Sequence, residues 1–121
     1  MIEEEKKYET LEDFWPFYLS QHQNPVNRNL HFLGSSIGLF CIGKAISKKK
    51  PSYLLLGLVA GYGCAWAGHF LIEKNRPATF KYPLKSFISD WLMFGTRLTG
   101  KLDNELIKED VLKLVSEKIK N

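Results

Sequence analysis

With 121 residues, a formal charge of +4 and 45% hydrophobic content, the chain has material for one domain, residues 1–121, and not for two. Its Lys and Arg residues lie between long apolar runs and form no continuous stripe, so nucleic acid is excluded as a partner and membrane lipid is favoured. Cys41 and Cys64 sit inside apolar runs without C-x-x-C spacing, which argues against a disulfide framework or a zinc finger.

The acidic, polar stretch Met1 to Thr10 lacks the basic start and apolar core of a cleavable signal, and these ten residues read as peripheral. Phe14, Trp15, Tyr18 and His22 then recur at helical spacing, with Asp13 as N-cap, Pro16 confined to the first turn and His22 in the last turn. Asn24-Pro25 breaks this helix and starts the next, which places His31 in a second turn.

Two apolar runs come next, Leu30 to Ile46 and Tyr53 to Ile72, reaching roughly 25 and 30 Å as helices, close to the thickness of a bilayer's hydrocarbon core. Lys48, Lys49, Lys50 and Pro51 mark the turn of a transmembrane hairpin. The mean hydropathy of -0.20 reflects the charged ends, whereas Tyr53 to Gly68 carries no charge at all. Seven of the nine glycines fall in the two runs, including Gly34-x-x-x-Gly38 and Gly57-x-x-x-Gly61, a spacing that permits close helix contact within a chain or, in a homo-oligomer, between chains.

From Leu84, the residues Phe87, Ile88, Trp91, Leu92 and Leu98 form an apolar stripe opposite Lys85, Ser86, Asp90 and Arg97, as in an amphipathic helix lying at the membrane interface. The tail from Asp103 is a charged helical extension with apolar positions at Leu106, Val111, Leu114 and Val115, and reads as peripheral. The fold class is therefore all-α: a small helical integral membrane protein with a transmembrane hairpin and amphipathic interfacial helices. Basic residues flank both ends of the hairpin, so the charge rule assigns no orientation.

An antiparallel hairpin returns His31, near the start of the first run, and His69, near the end of the second, to one membrane face, where His22 also lies. Glu73, four residues beyond His69, shares its side of the helix. A single interfacial histidine is commonly just wet and hydrogen-bonded. All three histidines of the chain meeting at one face, with a carboxylate nearby, form a donor set suited to iron(II), manganese or zinc, and bis-histidine haem ligation is a competing use. Glu73 reads as a ligand, as a support for one, or as a partner of Lys74 or Arg76. No G-x-S-x-G, P-loop or dinucleotide fingerprint is present.

Phe14-Trp15-Pro16-Phe17-Tyr18-Leu19 with His22, Pro25, Asn27-Arg28 and Leu30-His31-Phe32-Leu33-Gly34 resembles the opening of the family named for metabolism of phytosphingosine to odd-numbered fatty acids. Trp66-Ala67-Gly68-His69-Phe70 and Glu73-Lys74-Asn75-Arg76-Pro77-Ala78-Thr79-Phe80 resemble its most distinctive block, and Tyr82-Pro83-Leu84 and Ser89-Asp90-Trp91 are similar to the family's downstream segment. The resemblance spans roughly residues 11 to 101. It implies an Fe(2+)-dependent dioxygenase of fatty-acid α-oxidation, which shortens a 2-hydroxy fatty acid by one carbon with O2. It also implies a seat in the endoplasmic reticulum membrane of a eukaryote or the inner membrane of a bacterium. On this resemblance His22, His31 and His69 hold the metal, Glu73 ligates it or orients an imidazole, and Asn75, Arg76 and Lys81 meet the substrate carboxylate, Arg76 foremost because a guanidinium grips it bidentately. The acyl chain is expected between the glycine-rich runs.

Overall fold

The computed structural model describes residues 8–120. Within them the chain is helical without strands: α1 Leu11–Ser20, α2 Pro25–Lys48, α3 Ser52–Ala67 continued by a wider π turn Gly68–Glu73, α4 Pro83–Leu98, α5 Leu102–Leu106 and α6 Glu109–Lys120. Most of Met1 to Thr10, residues 1–7, lies outside the described residues.

Local chemistry sets the boundaries. Thr10, not Asp13, caps α1, its hydroxyl accepting from the Asp13 amide at 3.0 Å, while Glu12 and Asp13 favour the positive helix start. Pro16 is the sixth helical residue, beyond the first turn, so α1 forgoes one main-chain bond there. His22 falls just past the end of α1, its amide donating to Leu19 O. Asn24 caps α2 by accepting from Val26 N at 2.9 Å, and Pro25 takes the first helical position, where its missing N–H loses nothing. Lys49, left-handed at φ 53°, ends α2 and opens the hairpin turn.

α2 and α3 pack antiparallel along their length. Glycine makes the close approach possible: a Cβ on Gly34 meets Gly61 O at 3.0 Å, and one on Gly57 meets Cys41 Cβ at 3.0 Å. The small-residue seam therefore joins two helices of one chain. Both cysteines are free thiols, Cys41 buried in this seam.

The outer faces of the hairpin are apolar. Phe40, Ile46, Leu55, Val59 and Leu71 are all more than half exposed, and only 22% of each span is buried within the chain, unlike the core helix of a soluble protein. α4 is likewise turned inside out, with Ser86, Ser89 and Met93 buried and Leu84, Phe87, Ile88 and Leu92 exposed. This is the architecture of a small helical membrane protein: Pro25–Lys48 and Ser52–Glu73 are each long and apolar enough to cross a bilayer.

The conventional hydrophobic core lies beside the hairpin, at its histidine end. Phe14, Tyr18 and Leu19 of α1, Met93 of α4, Leu102 and Leu106 of α5 and Val111 of α6 are buried together with Tyr8. Tyr8 and the residues from 103 onward, read from sequence as peripheral, thus contribute to this core, because the amphipathic faces of α5 and α6 close over α1. Trp15 Nε1 donates to Glu105 at 3.2 Å, tying α1 to α5.

Candidate metal centre

His22, His31 and His69 are 1, 4 and 3% exposed and arrive from three directions: the loop after α1, the second turn of α2 and the π turn after α3. Their ring centroids lie 4.5, 4.5 and 4.9 Å apart and the rings are nearly mutually perpendicular, at 80–89°. Their candidate ligand atoms all fall within 4.8 Å of one another.

Hydrogen bonding fixes the tautomers. His22 Nδ1 faces Tyr18 O at 2.6 Å, and His31 Nδ1 faces Asn27 O at 2.9 Å. His69 Nδ1 faces Asn75 Oδ1 at 2.7 Å, and the Asn75 amide is itself oriented because its Nδ2 donates to Gln21 O at 3.0 Å. Carbonyl oxygens only accept, so each neutral imidazole carries its proton on Nδ1 and turns the Nε2 lone pair away from that partner. Burial, and then the neighbouring imidazoles, push the His22 pKa well below the usual histidine value, which keeps this ring neutral.

His22 Nε2 and His31 Nε2 stand 3.2 Å apart. In these tautomers neither has a hydrogen to give the other, so the contact is between lone pairs, an arrangement that a shared cation would satisfy. Two imidazole nitrogens on one ion, each at about 2.1 Å and subtending 90–110°, are separated by about 3.0–3.4 Å, which matches.

The π turn brings His69 inward. Its wider pitch runs from Gly68 to Glu73 and ends at left-handed Lys74, φ 58°, from which Asn75 N returns to His69 O at 3.0 Å. Gly68 lies where this turn crosses α2: a Cβ there falls 1.9 Å from Asn27 Oδ1.

Of the other residues expected at the site from sequence, Asn75 touches the His69 ring, while Glu73, Arg76 and Lys81 have other neighbours. Glu73 Oε1 accepts from the Asn24 amide and from Asn27 Nδ2, so it clasps the start of α2, and the converging donor atoms are those of the three histidines. Asn75 is occupied by His69 and Gln21. Arg76 and Lys81 are exposed, with their cationic groups 5.4 Å over the Phe80 ring and 5.8 Å over the Tyr82 ring.

A groove of about 310 Å³ runs from His31 along the α2–α3 seam past Gly34, Gly38 and Gly57 to Ile42 and Leu54, with Phe87 and Trp91 of α4 on its other wall. Beside His31 at the end of the groove, and bordering the small space of the three rings as well, stands Asp90, which receives a hydrogen bond from the buried Tyr18 hydroxyl. Ser86, one turn earlier, has a buried hydroxyl without a partner that lines the same small space as the three rings. Sequence reasoning gave neither residue a role. The available signal was Ser86-x-x-x-Asp90, two polar side chains on one face of an otherwise apolar helix.

A helical hairpin with small-residue packing and a buried cluster of three imidazoles able to hold a metal ion define a small helical protein of membrane type. Residues 8–102 match the family described as 2-hydroxy-palmitic acid dioxygenase Mpo1-like, and the chain belongs to that family. No curated protein and no solved structure matches the chain.

Proposed function

We propose that the chain is an integral membrane dioxygenase that uses Fe(2+) to convert a 2-hydroxy fatty acid and O2 into the acid one carbon shorter, carbon dioxide and water. The observation that carries this reading is the convergence of three imidazoles, one of which, His31, also lines the end of an apolar groove. A long-chain acid is the kind of ligand that needs a polar reaction centre and a dry channel in one continuous space. The family's description, which names 2-hydroxypalmitate, supports the same substrate.

The balance is closed. The bond between C1 and C2 breaks, C1 leaves as carbon dioxide and C2 becomes the new carboxyl carbon. The hydroxy acid gives up four electrons and O2 accepts four, so no further reductant is consumed. His22, His31 and His69 would hold the iron(II), which would supply the binding and activation of dioxygen that a closed-shell acid lacks.

The chain's own residues do the rest. The Tyr18 and Asn27 carbonyls and the Asn75 side chain hold each imidazole with its lone pair inward. Glu73 fixes the α2 start, and with it Asn27 and His31. From His31 to Ile42 the groove wall spans eleven residues, about 16 Å at the helical rise, room for about a dozen extended carbons at roughly 1.3 Å each. Arg76 and Lys81 serve as a cationic rim that draws the carboxylate from the bilayer surface. The exposed apolar faces of α2, α3 and α4 lie in lipid, from which the substrate enters sideways.

Purified protein loaded anaerobically with iron(II), then given O2 and 2-hydroxypalmitate, is expected to release pentadecanoic acid and carbon dioxide in equal amounts. Iron-loaded, folded protein that yields no shortened acid overturns the proposal.

A further inference from the structure

The geometry points to Asp90 as the residue that selects 2-hydroxy acids over unsubstituted ones, by hydrogen bonding the substrate hydroxyl where the acyl groove meets the three histidines. It rests on the reading of that groove as the acyl site. Asp90 borders both the groove, alongside His31, and the small space enclosed by His22, His31, His69 and Ser86. A fatty acid lying in the groove with its head at the histidines therefore brings its second carbon past Asp90.

Placing an acid here is costly without a compensating function. Asp90 stands on a helix face whose neighbours Ser86, Ser89 and Met93 are buried, and among the described residues no Lys or Arg pairs with it. The Tyr18 hydroxyl donates to Oδ1 and fixes the carboxyl group against α1. The ionised group accepts through two oxygens with about four lone-pair directions, so one donor leaves it unsaturated. Ser86 Oγ and Ser89 Oγ, buried on the same helix, lack partners. A carboxylate with an open oxygen at the edge of an otherwise apolar groove, beside the unpaired Ser86 hydroxyl of the adjoining space, marks the place of a polar group in the ligand.

A hydroxyl fits this place better than a second carboxylate. It donates to ionised Asp90 and accepts from the protonated form, so the pairing survives either state. Burial raises the Asp90 pKa to about 7, which makes both states available near neutrality. A palmitate in the same pose offers only a methylene at this position and leaves the carboxyl group without a second partner. Sites built to hydrogen-bond a hydroxyl reject analogues lacking it far more strongly than apolar pockets reject a missing methylene.

The test is competition binding of palmitate and 2-hydroxypalmitate to the anaerobic, iron(II)-loaded protein in detergent, with steady-state turnover of 2-hydroxypalmitate measured alongside. In Asp90→Leu the preference for the hydroxy acid is expected to fall by about ten- to a hundred-fold relative to wild type, with palmitate affinity changed less than about threefold. Asp90→Asn, which keeps the shape and one acceptor, is expected to lose about threefold to tenfold and serves should the leucine variant not fold. Tyr18→Phe, which releases Asp90 from α1, is expected to raise KM for the hydroxy acid with little change in palmitate binding. Variants that bind iron and palmitate but keep the wild-type hydroxyl preference overturn the role of Asp90 and leave the dioxygenase reading standing. Wild type that binds neither acid overturns both.

Discussion

His69 Nδ1 meets Asn75 Oδ1 at 2.7 Å, and the same amide gives its hydrogens to Gln21 O and Gln21 Oε1 at 3.0 and 3.1 Å. One side chain thus sets the tautomer of a metal-facing imidazole and anchors the π turn to the end of α1. Asn75→Ala removes the acceptor, and the His69 proton is then free to occupy Nε2, the atom needed as a ligand. The expected result is a 10- to 100-fold weaker iron(II) or zinc(II) affinity with helical content unchanged, read by competition with a chromophoric chelator and by circular dichroism. His69→Ala is expected to abolish stoichiometric metal binding. Unaltered affinity in the asparagine variant places the tautomer's control elsewhere.

Gly68 and Gly63 sit five residues apart in the second span and have opposite surroundings. A methyl group on Gly68 collides with Asn27 Oδ1, whereas one on Gly63 meets nothing within 4 Å. Both have helical neighbours, so alanine gains intrinsic propensity of up to about 1 kcal/mol at either site. At Gly68 the collision outweighs this gain, because Asn27 is fully buried and its carbonyl positions His31. Gly63→Ala is expected to raise the midpoint of thermal unfolding slightly. Gly68→Ala is expected to cost about 1–3 kcal/mol and to weaken metal binding. Equal behaviour of the two variants refutes the close crossing of the π turn and α2.

The second span also shows where sequence reasoning reaches and where it stops. The hairpin is legible because Tyr53 to Gly68 offers an uncharged length that only a bilayer or a large core can hold, and the charged turn at Lys48 to Pro51 fixes the antiparallel return. That return, applied to His22, His31 and His69, suffices to gather them. What pins them is not legible: Tyr18 and Asn27 act through main-chain carbonyls, which any residue possesses. The π turn arises from its junction with Asn75 and Gln21, 54 residues apart in sequence, so local periodicity carries no trace of it. Asp90 was hidden by an assumption about environment. The polar stripe of α4 faces water in a soluble amphipathic helix, but here the apolar side faces outward and the stripe with Ser86 and Asp90 turns inward.

Asp90 also ties function to a stability cost. Its carboxyl titrates near 3.9 in an unfolded chain and at about 7 in the fold, where burial disfavours the charged form. Between these values the folded state holds a proton that the unfolded state has lost, so its contribution to stability declines as pH rises from about 4 to 7 and levels off above that. Asp90→Asn removes the titration. The variant is expected to be more stable than wild type by about 1–4 kcal/mol at pH 8, and the difference to shrink toward zero at pH 4. His22, pushed in the opposite direction by burial, destabilises both proteins alike below about pH 6.5 and cancels from the comparison. Denaturation of the two proteins across this pH range checks the sign, and a difference independent of pH refutes it.

Gly38 lies on the groove wall about 10 Å along α2 from His31, and a Cβ there meets only Gly57 O, at 4.0 Å. Space for a side chain exists only because the groove passes there, so Gly38→Leu fills the channel while the seam stays closed. An acyl chain extended from the histidines then has room for about eight carbons at roughly 1.3 Å each, against about a dozen in the native groove. The variant is expected to lose at least about tenfold in kcat/KM for 2-hydroxypalmitate, with 2-hydroxyoctanoate affected less than about threefold, since the blocked part of the groove lies beyond the shorter chain's end. Gly43→Leu, at a position with open surroundings outside the groove, is the control and should leave the profile unchanged. A Gly38→Leu enzyme that loses short and long acids alike moves the acyl chain out of this seam, whatever the metal does.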